Sequence, residues 1–446
     1  MATALTSARS QSSTPERPSL MTMLRTEGSD AFLITAFAGR LPASMVQLGL
    51  LMVVNAAGRG MGLAGATVAA VGIGSAVGAP IIGRSVDALG PWRVVASAMI
   101  IQITAMMAFT IGIIMGADPA VLLASAGVIG AANPQVGSIA RSRWSALGRA
   151  HSDPRKGAEL LKGALGYETA ADELGFVIGP VGAGLLVSLL GGTVAMGTFI
   201  VLALLGEGAF ALYLRRIENQ AAQRSDIDAV EIEADLALPS TVVEKIPVRF
   251  LMPLALAVVA VGCVFGSTQT ALTALNSVRH AEAMTGPVYG CVGIGSGVAG
   301  IICSRWHRSN ATKIALGGAL VLVASGLMVM TPPTLAQVPV ALLLGLGVGT
   351  VLVTSYQGAE HVSPPALMTT VMTLLATCLV LGVSGGAAIS GVLSPELESM
   401  NNVAVISHAA VARPFWPPVI CGFVIITISM VIGGQRALRR RLPQSK

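Results

Sequence analysis

The sequence predicts an all-α polytopic membrane protein: twelve transmembrane helices in two six-helix bundles, with both termini cytoplasmic. Three observations carry this. Of 446 residues, 53% are hydrophobic and only 11% charged. A soluble domain has about 25% charged residues, so a soluble enzyme is excluded by its own surface. The mean hydropathy of +0.75 excludes disorder, whose signature is low hydrophobicity. The apolar residues are also gathered into twelve long runs, each matching the roughly 20 helical residues that cross a hydrocarbon core.

The runs fall near 29–54, 60–83, 94–116, 119–140, 161–190, 192–214, 249–274, 284–303, 312–331, 336–356, 366–395 and 413–434. A segment in lipid must satisfy its own backbone, so each is read as a helix. The fifth and eleventh are too long for one straight span and are expected to tilt or extend past the membrane. Residues 1–28 are a polar tail, and the run behind them is too long for a cleaved signal peptide. The acidic insert 215–248 reads as a cytoplasmic linker between an N-terminal bundle, 29–214, and a C-terminal bundle, 249–434. Residues 435–446 form a second tail. With both termini inside, inner segments hold 24 of the 28 Lys and Arg, against Arg59, Arg279 and Arg413 on outer loops, as the positive-inside rule requires. Trp92, Trp144 and Trp306 fall at inner loops and Trp416 at the start of the last span, where interfacial aromatics belong.

Scattered basic residues account for the net charge of +6 without a nucleic-acid partner. The five Cys lie inside apolar runs and the five His share no ligand spacing, so no disulfide, metal or cofactor is expected. No nucleophile sits beside a base, and the chain is not read as an enzyme.

The two halves echo each other. GIGSAVGAPIIGR (72–84) at the end of span two returns as GIGSGVAGIICSR (293–305) at the end of span eight. LGFVIGPVGAGLL (174–186) in span five resembles LGVSGGAAISGVL (381–393) in span eleven. Parallel six-span repeats mark secondary transporters.

Span five carries Glu168, Asp172 and Glu173. An acid near the bilayer centre costs roughly 2.5–3.5 kcal/mol even on the lenient insertion scale, so three in six residues have a purpose. At 3.6 residues per turn, Glu168 and Asp172 lie within about 40° of each other on the face of Gly175 and Gly179. Two acids one turn apart in a poorly solvated place cannot both ionise cheaply, which suits a proton carrier. Arg40 in span one lies at a matching depth and is the expected counter-charge. Glu207 in span six is a further embedded acid, which either titrates or pairs with the inner loops. Spans seven to twelve carry no mid-membrane charge, so coupling is expected in the first half.

Two motifs connect the chain to a known family. The loop GRSVDALGPWR, from Gly83 to Arg93, matches a GxxxDRxGxR pattern at Gly83, Asp87, Gly90 and Arg93, with Ala88 where an Arg is expected. In span five, GYETAADELGFVIGPVGAG matches Gx8Gx3GPx2GG at Gly166, Gly175, Gly179, Pro180 and Gly184, with Ala183 replacing one Gly. Both resemble the major facilitator superfamily, and the second resembles its twelve-helix drug:proton antiporters. Independently of that, Gly175, Gly179 and Gly182 form a small-residue stripe that lets a neighbouring helix approach. The resemblance implies a fold in which helices one and five are neighbours, alternating access, a gating latch built on Asp87 and Arg93, and exchange rather than symport. It implies that helices one, four, seven and ten line a cavity, where Asn133, Gln135, Gln269, Thr273, Thr354 and Tyr356 either bind substrate or cross-link helices. The Arg usual in helix four of such exporters is not evident, which shifts the proton route toward span five.

The expected protein is therefore a secondary transporter, driving small organic compounds outward with protons. Proton-coupled uptake of a metabolite is the alternative, since the acids serve either direction. Its expected partners are a small-molecule substrate, protons and the lipid bilayer, and it is read as a monomer of the bacterial inner membrane.

Overall fold

The computed structural model describes residues 29–149, 153–225, 248–306, 308–363, 368–395 and 408–441. Among these, all regular structure is helical. The elements are α1 (Ser29–Ala56), α2 (Met61–Leu89), α3 (Pro91–Ile114), α4 (Pro119–Ala131), α5 (Val136–Arg149), α6 (Pro154–Leu190), α7 (Gly192–Ser225), α8 (Val248–Val278), α9 (Thr285–Arg305), α10 (Asn310–Val329), α11 (Thr334–Val362), α12 (Met368–Leu393), α13 (His408–Ala412) and α14 (Trp416–Arg441). Twelve segments are long and apolar enough to cross a membrane, with α4 and α5 forming the fourth together. The tail 1–28, residues 226–247 of the acidic insert and residues 442–446 lie outside the described residues.

Local chemistry sets the helix ends. Asp118 accepts from the Ala120 N–H at 2.8 Å and Asp153 from the Arg155 N–H at 2.9 Å, each followed by a proline in the first turn. An acidic cap satisfies orphan donors, and proline there gives up no helix hydrogen bond. Gly90, at φ 85°, turns the chain between α2 and α3, a backbone conformation that costs glycine nothing.

Several helices outrun their apolar stretches. The fourth span continues to Arg149, past 140. The fifth starts at Pro154, ahead of 161, and is one helix of 37 residues. The sixth runs to Ser225, into the acidic insert. These extensions carry charged and polar residues, so hydropathy alone ends them early. The tenth span, α11, runs from Thr334 to Val362, so Thr354 and Tyr356 lie inside it rather than closing it.

The core lies in three main clusters. One draws on α8 to α14 in the second half; the other two draw on α1 to α7, and one of these includes Ala274 and Ala387 from across the boundary. Outward-facing side chains such as Ile100, Met107, Leu204 and Leu205 are half exposed or more, as a lipid-facing surface requires.

The halves join along α2 with α12 and α6 with α9, at residues within or beside the echoing segments. A Cβ added at Gly65 would lie 2.3 Å from the Ala387 carbonyl, and one at Gly72 would meet Ser384, so α2 packs directly on α12. Gly286 stands equally close to the Pro180 carbonyl and Gly184, and Gly293 to Val177, so α6 packs on α9. Asn55 donates to Ser277 at 3.1 Å beside these seams. All of these contacts lie toward the end of the molecule that carries the connections 57–60, 191 and 279–284.

Candidate functional site

The charged residues of α1, α5 and α6 converge. Arg40 bonds through Nη2 to Glu168 Oε2, and its Nε lies 3.3 Å from Asp172 Oδ1. Arg141 pairs through Nη2 with Asp172 Oδ2. Trp144 Nε1 donates to Glu168 Oε1 at 2.9 Å. Two carboxylates and two guanidiniums thus balance. The network has a sealed side and an open one: Glu168 is 0% and Arg40 7% exposed, while the side chains of Asp172 and Arg141 are 31% and 39% exposed. Arg40 Nη1 is buried without a hydrogen-bond partner.

The helices build this site simply. Glu168 and Asp172 stand one turn apart on α6, and Arg141 and Trp144 three residues apart on α5, spacings that share a helix face. Gly137, one turn before Arg141, makes room: a Cβ there would lie 3.4 Å from both Arg141 Nη1 and Arg40 Nε. Trp144 is held by an edge-on contact with Phe32, centroids 5.3 Å apart. Arg143 lies 4.9 Å from the centroid of the same Phe32 ring and 5.5 Å from that of Tyr213.

The expected pairing of Arg40 with Glu168 and Asp172 is present. The side chain of Glu173 lies outside the described residues. Two expectations are corrected. Span four does carry arginines, Arg141 and Arg143. The chain breaks at 132–135, where Gln135 adopts φ 54°, and the charged continuation was too polar to read as membrane helix. Trp144 is not a surface aromatic but 1% exposed, its N–H donating to the buried Glu168. Its spacing from Arg141 was the available signal. Replacing Trp144 by Phe keeps the aromatic packing and removes one charged-acceptor hydrogen bond. The expected loss is about 1–3 kcal/mol of stability, measurable by thermal unfolding in detergent.

The glycine motif has two working faces. Gly179 abuts Ser44 of α1, where an added Cβ would lie 2.6 Å from the Ser44 carbonyl, and Gly182 faces Met45. Pro180 and Gly184 face Gly286 of α9, whereas Gly175 has only loose contact with Ser44 and Gly166 faces open space. Gly179→Val is expected to push α1 away from α6 and pull Arg40 from Asp172. A loss of transport activity with retained membrane insertion, read by flux and by surface expression, checks it.

The loop after α2 is arranged differently from a latch. Asp87 is exposed, and neither it nor Arg93 forms an ion pair among the described residues. Arg93 and Arg215 of α7 instead lie 5.5 and 5.3 Å from the Trp92 ring centroid. A Cβ added at Gly83 would meet nothing within 4 Å beyond its own helix. Of the polar candidates, Asn133 Oδ1 accepts from the Gln135 N–H at 3.3 Å, stabilising the break in span four. Gln269 and Thr273 are buried, and the Thr273 hydroxyl donates to the Gln269 carbonyl at 2.8 Å. Tyr356 is half-buried against the second-half core. None of these makes a hydrogen bond or ion pair with the charged cluster among the described residues, but Tyr356 lies within electrostatic reach of Arg141. Glu207 faces Gln102 of α3, a partner no helical spacing could have pointed to.

The sequence matches the Major Facilitator Superfamily over residues 157–387, more than half of the chain. The chain belongs to this superfamily and is a polytopic membrane transporter of its secondary-transport type. Solved structures share the fold. The POT family transporter PepTSo aligns with 93% of this chain and 98% of its own at 12% identity, TM-score 0.61. The nucleoside transporter NupG aligns with 91% and 98% at 13% identity, TM-score 0.62. A bacterial homologue of the iron transporter ferroportin, in its inward-facing state, aligns with 89% and 98% at 15% identity, TM-score 0.62. No curated protein matches the sequence significantly.

Proposed function

We propose that the protein is a proton-driven exporter of a small, moderately apolar organic compound, akin to the drug:proton antiporter branch. The observation that carries this reading is the balanced cluster of Arg40, Glu168, Asp172 and Arg141, sealed at one side and exposed at the other. A proton arriving at the exposed Asp172 cancels its charge and frees Arg141, while Arg40 stays with Glu168. The partnerless Arg40 Nη1 fits a network that changes partners, since an unsatisfied buried donor needs such an explanation.

Export over uptake is favoured by the glycine motif, whose two faces place α6 in contact with both α1 and α9. A helix so placed can transmit a change at Asp172 to the seam between the halves. In this reading both termini are cytoplasmic, the acidic insert is a cytoplasmic linker, and the seams close the outer side. Asp172 is then open inward, and Gly184 lies about 18 Å from it along α6, at 1.5 Å rise per residue. The protein acts as a monomer in a bacterial inner membrane.

The test uses everted vesicles holding an acid-inside pH gradient, reported by a fluorescent dye, challenged with cationic drugs, neutral antibiotics, sugars and amino acids. Export predicts that at least one compound dissipates the gradient only in vesicles containing the protein. Dissipation only in right-side-out vesicles would assign uptake instead.

A further inference from the structure

Glu207 belongs neither to the charge cluster nor to the seams. It is 0% exposed on α7, and Gln102 opposite it on α3 is 1% exposed. One terminal atom of the Gln102 amide faces both Glu207 carboxyl oxygens, at 3.2 Å each. This geometry admits two forms, one for each protonation state of the acid. With its nitrogen toward α7, the amide donates to both oxygens of a carboxylate. With its oxygen toward α7, it accepts the O–H of a protonated carboxyl, while its nitrogen is turned toward donors, so this form is held by the proton on Glu207 alone. A half-turn of the amide exchanges the two without moving either backbone.

No cation fixes the ionised form: among the described residues Glu207 makes no ion pair. The charged groups of the helices packed around it are engaged elsewhere. Arg40 of α1 holds Glu168 and Asp172 of α6. Arg93 of α3 lies by Trp92, about 14 Å along the helix from Gln102. On α7, Tyr213 and Arg215 lie more than a turn away, beside Arg143 and Trp92 respectively. An acid kept in a dry, uncompensated place in a membrane helix is a functional group until shown otherwise.

We propose that Glu207 and Gln102 form a second protonation site, in which gain or loss of the proton turns the Gln102 amide and resets the contact between the third and sixth spans. A route to the first cluster is built in. Gly206, beside Glu207, packs on the Ala38 carbonyl and on Gly39, immediately before Arg40. Pro42 leaves that carbonyl without its helical N–H partner, so α7 reads α1 at a soft point. The site stands whether or not the cluster couples protons to transport.

Infrared difference spectra of the purified full chain in lipid nanodiscs, stepped from mildly alkaline to mildly acidic pH in H2O and D2O, test this. A carboxyl C=O band is expected to appear on acidification and to shift in D2O. That band should be missing in Glu207→Gln, retained in Asp172→Asn and moved in frequency in Gln102→Leu. Wild-type spectra in Glu207→Gln would overturn the proposal, as would a Glu207 band indifferent to pH. Should Glu207→Gln fail to fold, an unmoved band in Gln102→Leu overturns it equally.

Discussion

Asp172→Asn is expected to reduce gradient-driven transport to background while leaving the protein folded. The amide keeps the carboxylate's shape but cannot take up a proton. Arg141, 39% exposed, retains water as a partner, so the structural cost is that of a partly exposed ion pair, about 1 kcal/mol or less. Flux assays alongside thermal unfolding in detergent separate the two effects. A variant that unfolds would show Asp172 to be a structural ion-pair partner.

Arg40→Met carries the largest expected cost in stability. Glu168 is 0% exposed and would keep Trp144 as its one described donor, a buried carboxylate without its cation. Removing one member of a buried ion pair costs about 3–5 kcal/mol, because the remaining charge is left uncompensated. Adding Glu168→Gln should recover much of that loss, since the uncompensated charge is then gone. Unfolding temperatures of the single and double variants in one detergent decide it. Equal stability of wild type and Arg40→Met would mean that Glu168 is not held by Arg40.

The sequence and structure agree where a physical periodicity was at work. Twelve apolar runs became twelve crossings, because lipid permits few alternatives for such segments. The match of Arg40 with Glu168 and Asp172 was expected from helical spacing, depth within the span and the family resemblance, which makes helices one and five neighbours. The small-residue echoes became close helix contacts, since only small residues let helix backbones touch: Gly72, Gly184 and Gly293 join the halves, while Gly74, Gly78, Gly295, Gly382 and Gly386 pack within their own half. What was not legible depended on contacts across helices. Arg141 lay beyond the apparent end of span four because α5 is amphipathic there and follows a break at Gln135. Gln102 is a neutral residue in an apolar run, and nothing local distinguishes it until α3 and α7 are packed. The family resemblance implied a latch on Asp87 and Arg93; here Arg93 lies by Trp92.

Proton coupling at Asp172 is tested most directly in proteoliposomes, using the compound found by vesicle screening. Substrate exchange down its own gradient and accumulation driven by a pH gradient are measured side by side for wild type and Asp172→Asn. The proposed mechanism predicts that the variant still exchanges substrate but no longer accumulates it against a gradient. Accumulation by Asp172→Asn equal to wild type would contradict it and remove Asp172 from the proton path.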